Sequence, residues 1–154
     1  MKEIRKILVP VDFSDHSARA LDEAIGFAKI FKAEMHLLHC YQINPGAMAP
    51  YAMAPYGIVI PESFEHDVRM AALQRLSEWR DKVKAEGITV QEHITAHFPS
   101  EEIAAMAEKL PADLIVMGTR GLTGFKHVLL GSVAERTIRI APCPVLTVKH
   151  GAVH

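Results

Sequence analysis

Short runs of apolar residues alternate along this chain with segments whose apolar positions recur every three or four residues. Residues 6–11, Lys-Ile-Leu-Val-Pro-Val, form the first run, closed by Asp12. Continuous apolar runs of this kind mark strands covered on both faces, as parallel sheets require, so they predict β1. Ser14 then offers a hydroxyl to cap a helix, and Asp15 falls in a first turn where the helix dipole favours negative charge. Ala18, Leu21, Ile25 and Ala28 follow at helical spacing, widened by Ala24 and Phe31, and predict α1. Residues 35–40, interrupted by His36 and His39, predict β2.

Between Gln42 and Pro61 no side chain is charged, and Pro or Gly stands at 45, 46, 50, 55, 57 and 61, so 42–61 reads as a long loop. Phe64, Val68, Ala72, Leu76, Trp79 and Val83, with charged residues between them, predict the amphipathic helix α2, punctuated by Gly87. Ile88, Val90 and Ile94 alternate with polar partners, as a half-exposed edge strand β3 would. Pro99 and Ser100 open α3, which carries Ile103, Ala104, Ala107 and Leu110, with Glu101 and Glu102 in its first turn. Residues 114–117 are wholly apolar and predict β4; Val133, Ile138 and Ile140 belong to α4; residues 144–148 predict β5. Alternation of five strands with four helices implies an α/β fold, a doubly wound parallel sheet with helices on both faces and right-handed crossovers.

Composition narrows the function. The chain has 154 residues and 49% hydrophobic residues, which suits one self-sufficient core, so 1–154 is expected to be a single domain with a loop at 42–61 and a tail at 150–154. Seventeen Lys and Arg against 18 Asp and Glu give a net charge of -1, and no global reason to bind nucleic acid or an acidic membrane. The apolar run after the basic opening is too short for a signal peptide, and no run reaches the length of a membrane span. A cytoplasmic protein is the expectation.

An open doubly wound sheet binds ligands outside the carboxyl ends of its strands, where the strand order reverses. Asp12 ends β1 there. β4 runs into Gly118-Thr119-Arg120-Gly121-Leu122-Thr123-Gly124, and α4 begins near Gly131-Ser132. Glycines let backbone amides approach a bulky anion, a helix N-terminus supplies unpaired amides, and Arg120 or Lys126 would add positive charge, which together describe a phosphate cradle. Ordinary turns also collect glycine, and Ser132 could be a plain helix cap, as Asp12 could merely cap α1 or bond loop amides. Neither a Walker P-loop nor the G-x-G-x-x-G of a dinucleotide binder is present.

These segments resemble the universal stress protein family over nearly the whole chain. Residues 6–14 are similar to the family's opening strand and turn, and residues 142–148 to its last strand. Gly118-x2-Gly121-x9-Gly131-Ser132 matches the G-x2-G-x9-G-[S/T] pattern of the family's ATP-binding branch at all four positions. The resemblance implies five parallel strands in the order 3-2-1-4-5. It also implies an ATP in the β1/β4 crevice, carrying Mg²⁺ or Mn²⁺ on its phosphates. Asp12 would take the adenosine end with Pro10 and Val11 beside it, and Cys40 would offer backbone contact to adenine. Gly118, Gly121, Gly131 and Ser132 would hold the phosphates, Arg120 would flank them, and Val133 would add an amide. The family also pairs its last strands, which would join two copies between Val145 and Lys149.

The expected function is therefore an ATP-binding regulatory protein that presents a nucleotide-dependent surface to a protein partner, with at most slow hydrolysis. No general base or water-orienting Gln for phosphoryl transfer can be named. The alternatives are an enzyme of the adenine-nucleotide α-hydrolase type and a nucleotide-free interaction dimer. Asp113, at the far end of the sheet, is expected to be structural. The nine histidines form no ligand motif, and Cys40 and Cys143 read as small buried hydrophobes. The near repeat of Met-Ala-Pro-Tyr at 48–51 and 53–56 reads as an Ω-loop in preference to a lid.

Overall fold

A computed structural model describes residues 3–43, 61–121 and 129–150. The repeated Met-Ala-Pro-Tyr segment, Leu122, Thr123, Gly124 and Lys126, and the end of the tail lie outside the described residues. The elements follow in the order β1 (Lys6–Pro10), α1 (Asp15–Phe31), β2 (Glu34–Cys40), α2 (Glu62–Ala85), β3 (Val90–Thr95), α3 (Pro99–Lys109), β4 (Leu114–Gly118), α4 (Ser132–Ile140) and β5 (Val145–Val148). All strand pairs are parallel, in the order β3-β2-β1-β4-β5. The chain thus reverses its direction of strand addition between β1 and β4, which opens a crevice at their carboxyl ends.

The sheet divides the core in two because successive side chains of a strand point to opposite faces. Ile7, Val9, Met35, Leu37 and Val116 face α1 and α2, where they meet Leu21, Ala24, Leu76 and Val83. Leu8, Leu38, Ile115 and Met117 face the other way, onto Ile103, Ala107 and Ala134 of α3 and α4. Every residue of β4 is buried, whereas every residue of the edge strand β5 is only half-buried.

Local chemistry sets the element ends. Ser14 caps α1 by accepting from the Ser17 amide, and Lys32 closes the same helix in the left-handed region, with φ 55°. Gly87, at φ 77°, follows α2 and donates its amide to Lys84 O at 3.0 Å, so the glycine stop is a backbone requirement. Two apolar stripes depart from the expected pattern. Trp79 is half-buried, packed against the first core with its ring edge-on to Phe13. Val133, Ile138 and Ile140 are exposed, and α4 buries Ala134 and Thr137 instead. None of the described helices is long and apolar enough to cross a membrane.

Candidate functional site

β1 stops at Pro10, and the next residues turn sharply beneath the crevice. Val11 continues the sheet by donating to Leu38 O at 2.8 Å, and its side chain is buried in the first core, so only its backbone can line the crevice. Asp12 Oδ1 accepts from the Ser14 amide at 3.0 Å and from the Ser14 hydroxyl. That is the loop-bonding role open to any aspartate here, and α1 takes its cap from Ser14 itself. The other oxygen, Oδ2, lies against Gly121: a Cβ built on that glycine would stand 2.5 Å from it. Gly121 is thus a glycine because the Asp12 carboxylate occupies the space of its side chain.

The two remaining motif glycines have separate reasons. At Gly118 a Cβ would meet the His16 backbone at 2.9 Å, so this glycine lets the first turn of α1 pack on the end of β4. At Gly131 a Cβ would meet Thr119 O at 3.2 Å, and the Gly131 amide donates to that oxygen at 2.6 Å. Thr119 in turn donates to Val148 O at 3.1 Å, which ties both ends of the loop after β4 to the sheet. Gly131 is the N-cap of α4 and provides no side-chain cap; Ser132 is the first helical residue, so it is not the cap. The N-terminal amides of α4, Val133 among them, are therefore left without a capping side chain.

Arg120 leaves the same loop half-buried, and its charge, after burial itself and His150, helps hold the His16 imidazole below the usual histidine range. His16 lines a cavity of about 320 Å³ with Phe13, Ser14, Asp15, Gly121 and His150, and its buried Nδ1 has no hydrogen-bond partner among the described residues. A larger groove of about 760 Å³ lies at the amino ends of the strands, where Lys6 pairs with Glu34 at 3.4 Å, and Lys29 with Glu86.

Cys40 closes β2 on the adjoining side of the crevice. It is half-buried against the second core, and burial followed by the Glu102 charge pushes its thiol up to about 12, which removes it as a nucleophile near neutrality. Cys143 is half-buried as well, and both cysteines pack against the second core without the burial expected of small hydrophobes. His36 is buried and spans His93 at 3.0 Å and Glu34 at 3.2 Å, while His39 Nδ1 donates to Val11 O at 2.8 Å. These histidines are internal hydrogen-bonding groups, and among the described residues no cluster of three or more His, Cys, Asp or Glu could hold a metal. His16 and His39 adjoin the crevice without belonging to any motif; their only trace in the sequence is a histidine beside each strand or helix end that builds it.

The universal stress protein family model matches residues 3–149. The chain belongs to the universal stress protein family. A universal stress protein of Methanocaldococcus jannaschii, MJ0531, is 37% identical over 147 residues, which cover 94% of this chain and 82% of that protein. The solved structure of MJ0577, from the same organism, superposes with a TM-score of 0.83 at 28% identity, covering 98% of this chain and 99% of that one. A universal stress protein solved in complex with cAMP superposes with a TM-score of 0.65 at 26% identity, covering 96% and 98% of the two chains.

Proposed function

We propose that this universal stress protein binds ATP in the β1/β4 crevice and acts as a nucleotide-dependent regulatory protein. The observation that carries this reading is the shape of the glycine motif in space. Gly121 brings the backbone after β4 onto the Asp12 carboxylate, and Gly131 draws the N-terminus of α4 back to Thr119. Both close approaches would be filled by a Cβ, and the amides that open α4 present donors and a favourable dipole to an anion. The related chain that holds cAMP supports an adenine nucleotide as the ligand class.

In this reading Asp12 holds the adenosine end, flanked by Pro10 and the Val11 backbone, and the Cys40 backbone meets the base. Gly118, Gly121, Gly131, Ser132 and the Val133 amide receive the phosphates, with Arg120 supplying positive charge. A divalent ion, Mg²⁺ or Mn²⁺, rides on the phosphates and neutralises part of their charge. In this reading the activity is binding, with hydrolysis slow at most. A homodimer joined at β5, from Val145 to Lys149, agrees with the half-buried edge strand and with Ile138 and Ile140, left exposed on the neighbouring α4. A protein partner would then read the nucleotide-dependent surface.

The test is to denature freshly purified protein, identify released nucleotide by mass spectrometry, and titrate stripped protein with ATP and Mg²⁺ by calorimetry. Saturable heat or released ATP is expected. Neither nucleotide nor heat would leave the fold and turn the function toward an interaction dimer, and conversion of ATP at a rapid rate would turn it toward an enzyme.

A further inference from the structure

Phe13, the residue after Asp12, holds a left-handed backbone at φ 65°, a conformation that an aromatic side chain adopts only where its surroundings enforce it. The surroundings here are specific. The His39 ring lies 4.4 Å from the Phe13 ring, Trp79 meets it edge-on at 5.4 Å, and the Arg75 guanidinium sits 4.3 Å from its centroid. Phe13 is thus clamped between β2 and α2 by groups drawn from both.

The same histidine also governs the preceding peptide. Its Nδ1 donates to Val11 O at 2.8 Å, and a carbonyl only accepts, so Nδ1 carries the proton. The peptide joining Val11 to Asp12 is held at its carbonyl by His39, and its N–H faces Ser17 Oγ at the longer distance of 3.4 Å. Between this fixed plane and the clamped Phe13, the Asp12 side chain has little freedom, and it extends to Gly121 across the crevice.

We propose that His39 is a positioning residue for nucleotide binding: its hydrogen bond to the Val11 carbonyl sets the peptide plane from which the Asp12 carboxylate is aimed into the β1/β4 crevice. This rests on the nucleotide reading given above. His39 acts through Asp12, and the Phe13 clamp with Arg75 and Trp79 keeps the strained turn from relaxing.

Two substitutions separate its two contacts. His39→Phe keeps a ring against Phe13 and removes the donor; His39→Asn loses the ring and keeps an amide N–H near the position of Nδ1. Both are compared with the unaltered chain and Asp12→Ala, by calorimetric titration with ATP and Mg²⁺ and by thermal melting. His39→Phe is expected to weaken ATP binding by roughly fivefold to tenfold, the worth of one buried hydrogen bond. His39→Asn is expected to recover most of that loss while melting no higher than His39→Phe, so that affinity and stability part company. Affinity that tracks melting temperature through both variants would overturn the proposal. So would a His39→Phe protein that binds like the unaltered chain while Asp12→Ala does not, and in that case the nucleotide reading survives. Absence of binding by the unaltered chain removes both. Should His39→Phe fail to fold, His39→Met takes its place, because it too fills the space against Phe13 and removes the donor to the Val11 carbonyl; unchanged affinity there overturns the proposal.

Discussion

Asp12 and Asp113 are chemically alike and sit at opposite ends of the same pair of strands. Asp113 precedes β4 at the amino end, and its Oδ2 accepts from the backbone amides of Arg5 at 2.9 Å and Lys6 at 3.0 Å. It fastens the entry of β1 to the entry of β4. Asp12 follows β1 at the carboxyl end; one of its oxygens ties down the Ser14 turn while the other reaches Gly121 in the crevice. A carboxylate at the amino end braces the sheet, and at the carboxyl end it is held where helix N-termini and loops converge on the crevice. The largest expected effect follows from Gly121→Val, whose side chain needs the space of Asp12 Oδ2. On the nucleotide reading, ATP affinity falls by roughly tenfold to a hundredfold, the range for forcing extra carbons into a packed site. Calorimetry checks it, and unchanged affinity would detach Gly121 from the site.

The next largest effect distinguishes the two aspartates directly. Asp12→Ala is expected to weaken ATP binding by about tenfold through loss of a charged acceptor. Asp113→Ala is expected to leave affinity alone and to cost about 1–2 kcal/mol of stability, because two backbone donors lose their acceptor, one of them exposed and the other partly buried. For a chain of this size that is a drop in Tm of roughly 2–8 °C. If Asp113→Ala weakens binding as much as Asp12→Ala does, the contrast between the two ends fails.

Much of the comparison was legible in the order of residues, and the parts that were not have a common cause. Apolar runs located β1, β2, β4 and β5, and alternation located β3, because burial on both faces leaves β4 wholly apolar while the edge strand β3 keeps its polar positions. The placement of Asp12 and of Asp113 followed from strand direction alone. What stayed hidden depended on contacts between distant elements. His39 meets Val11 because β2 lies beside β1, a register that no local pattern states. Gly118 reads as part of a phosphate cradle by spacing, yet its missing side chain is explained by the His16 backbone packed over it. Val133, Ile138 and Ile140 mark α4 by hydropathy, although the helix turns Ala134 and Thr137 inward, since its axis is set by contacts with α3 and β5.

The smallest effect concerns pH. His39 and His93 are both held below the ordinary histidine value by burial first, with Arg75 adding to the effect on His39, and His36 and then Lys109 adding to that on His93. His16 is lowered in the same sense. For such groups the unfolded chain takes up protons that the folded chain refuses, so stability is complete above the unfolded value of 6.5 and is lost as pH falls from there toward the folded values. Glu34 and Glu101 are lowered too, chiefly by hydrogen bonds from His36 and Ser100, and begin to add to the loss only near and below 4.5. Melting curves should therefore decline by a few degrees between pH 7 and 5, and His93→Gln should flatten that decline; a parallel curve would remove His93 as a contributor. Asp12 opposes the effect at both His16 and His39 by attracting their protonated forms. In Asp12→Ala that attraction is gone, the two imidazoles take up their protons at still lower pH, and the acid decline should reach further down the pH scale. Asp113 is not among the charges acting on either ring, so between pH 7 and 5 Asp113→Ala should melt lower with the histidine-driven decline unshifted.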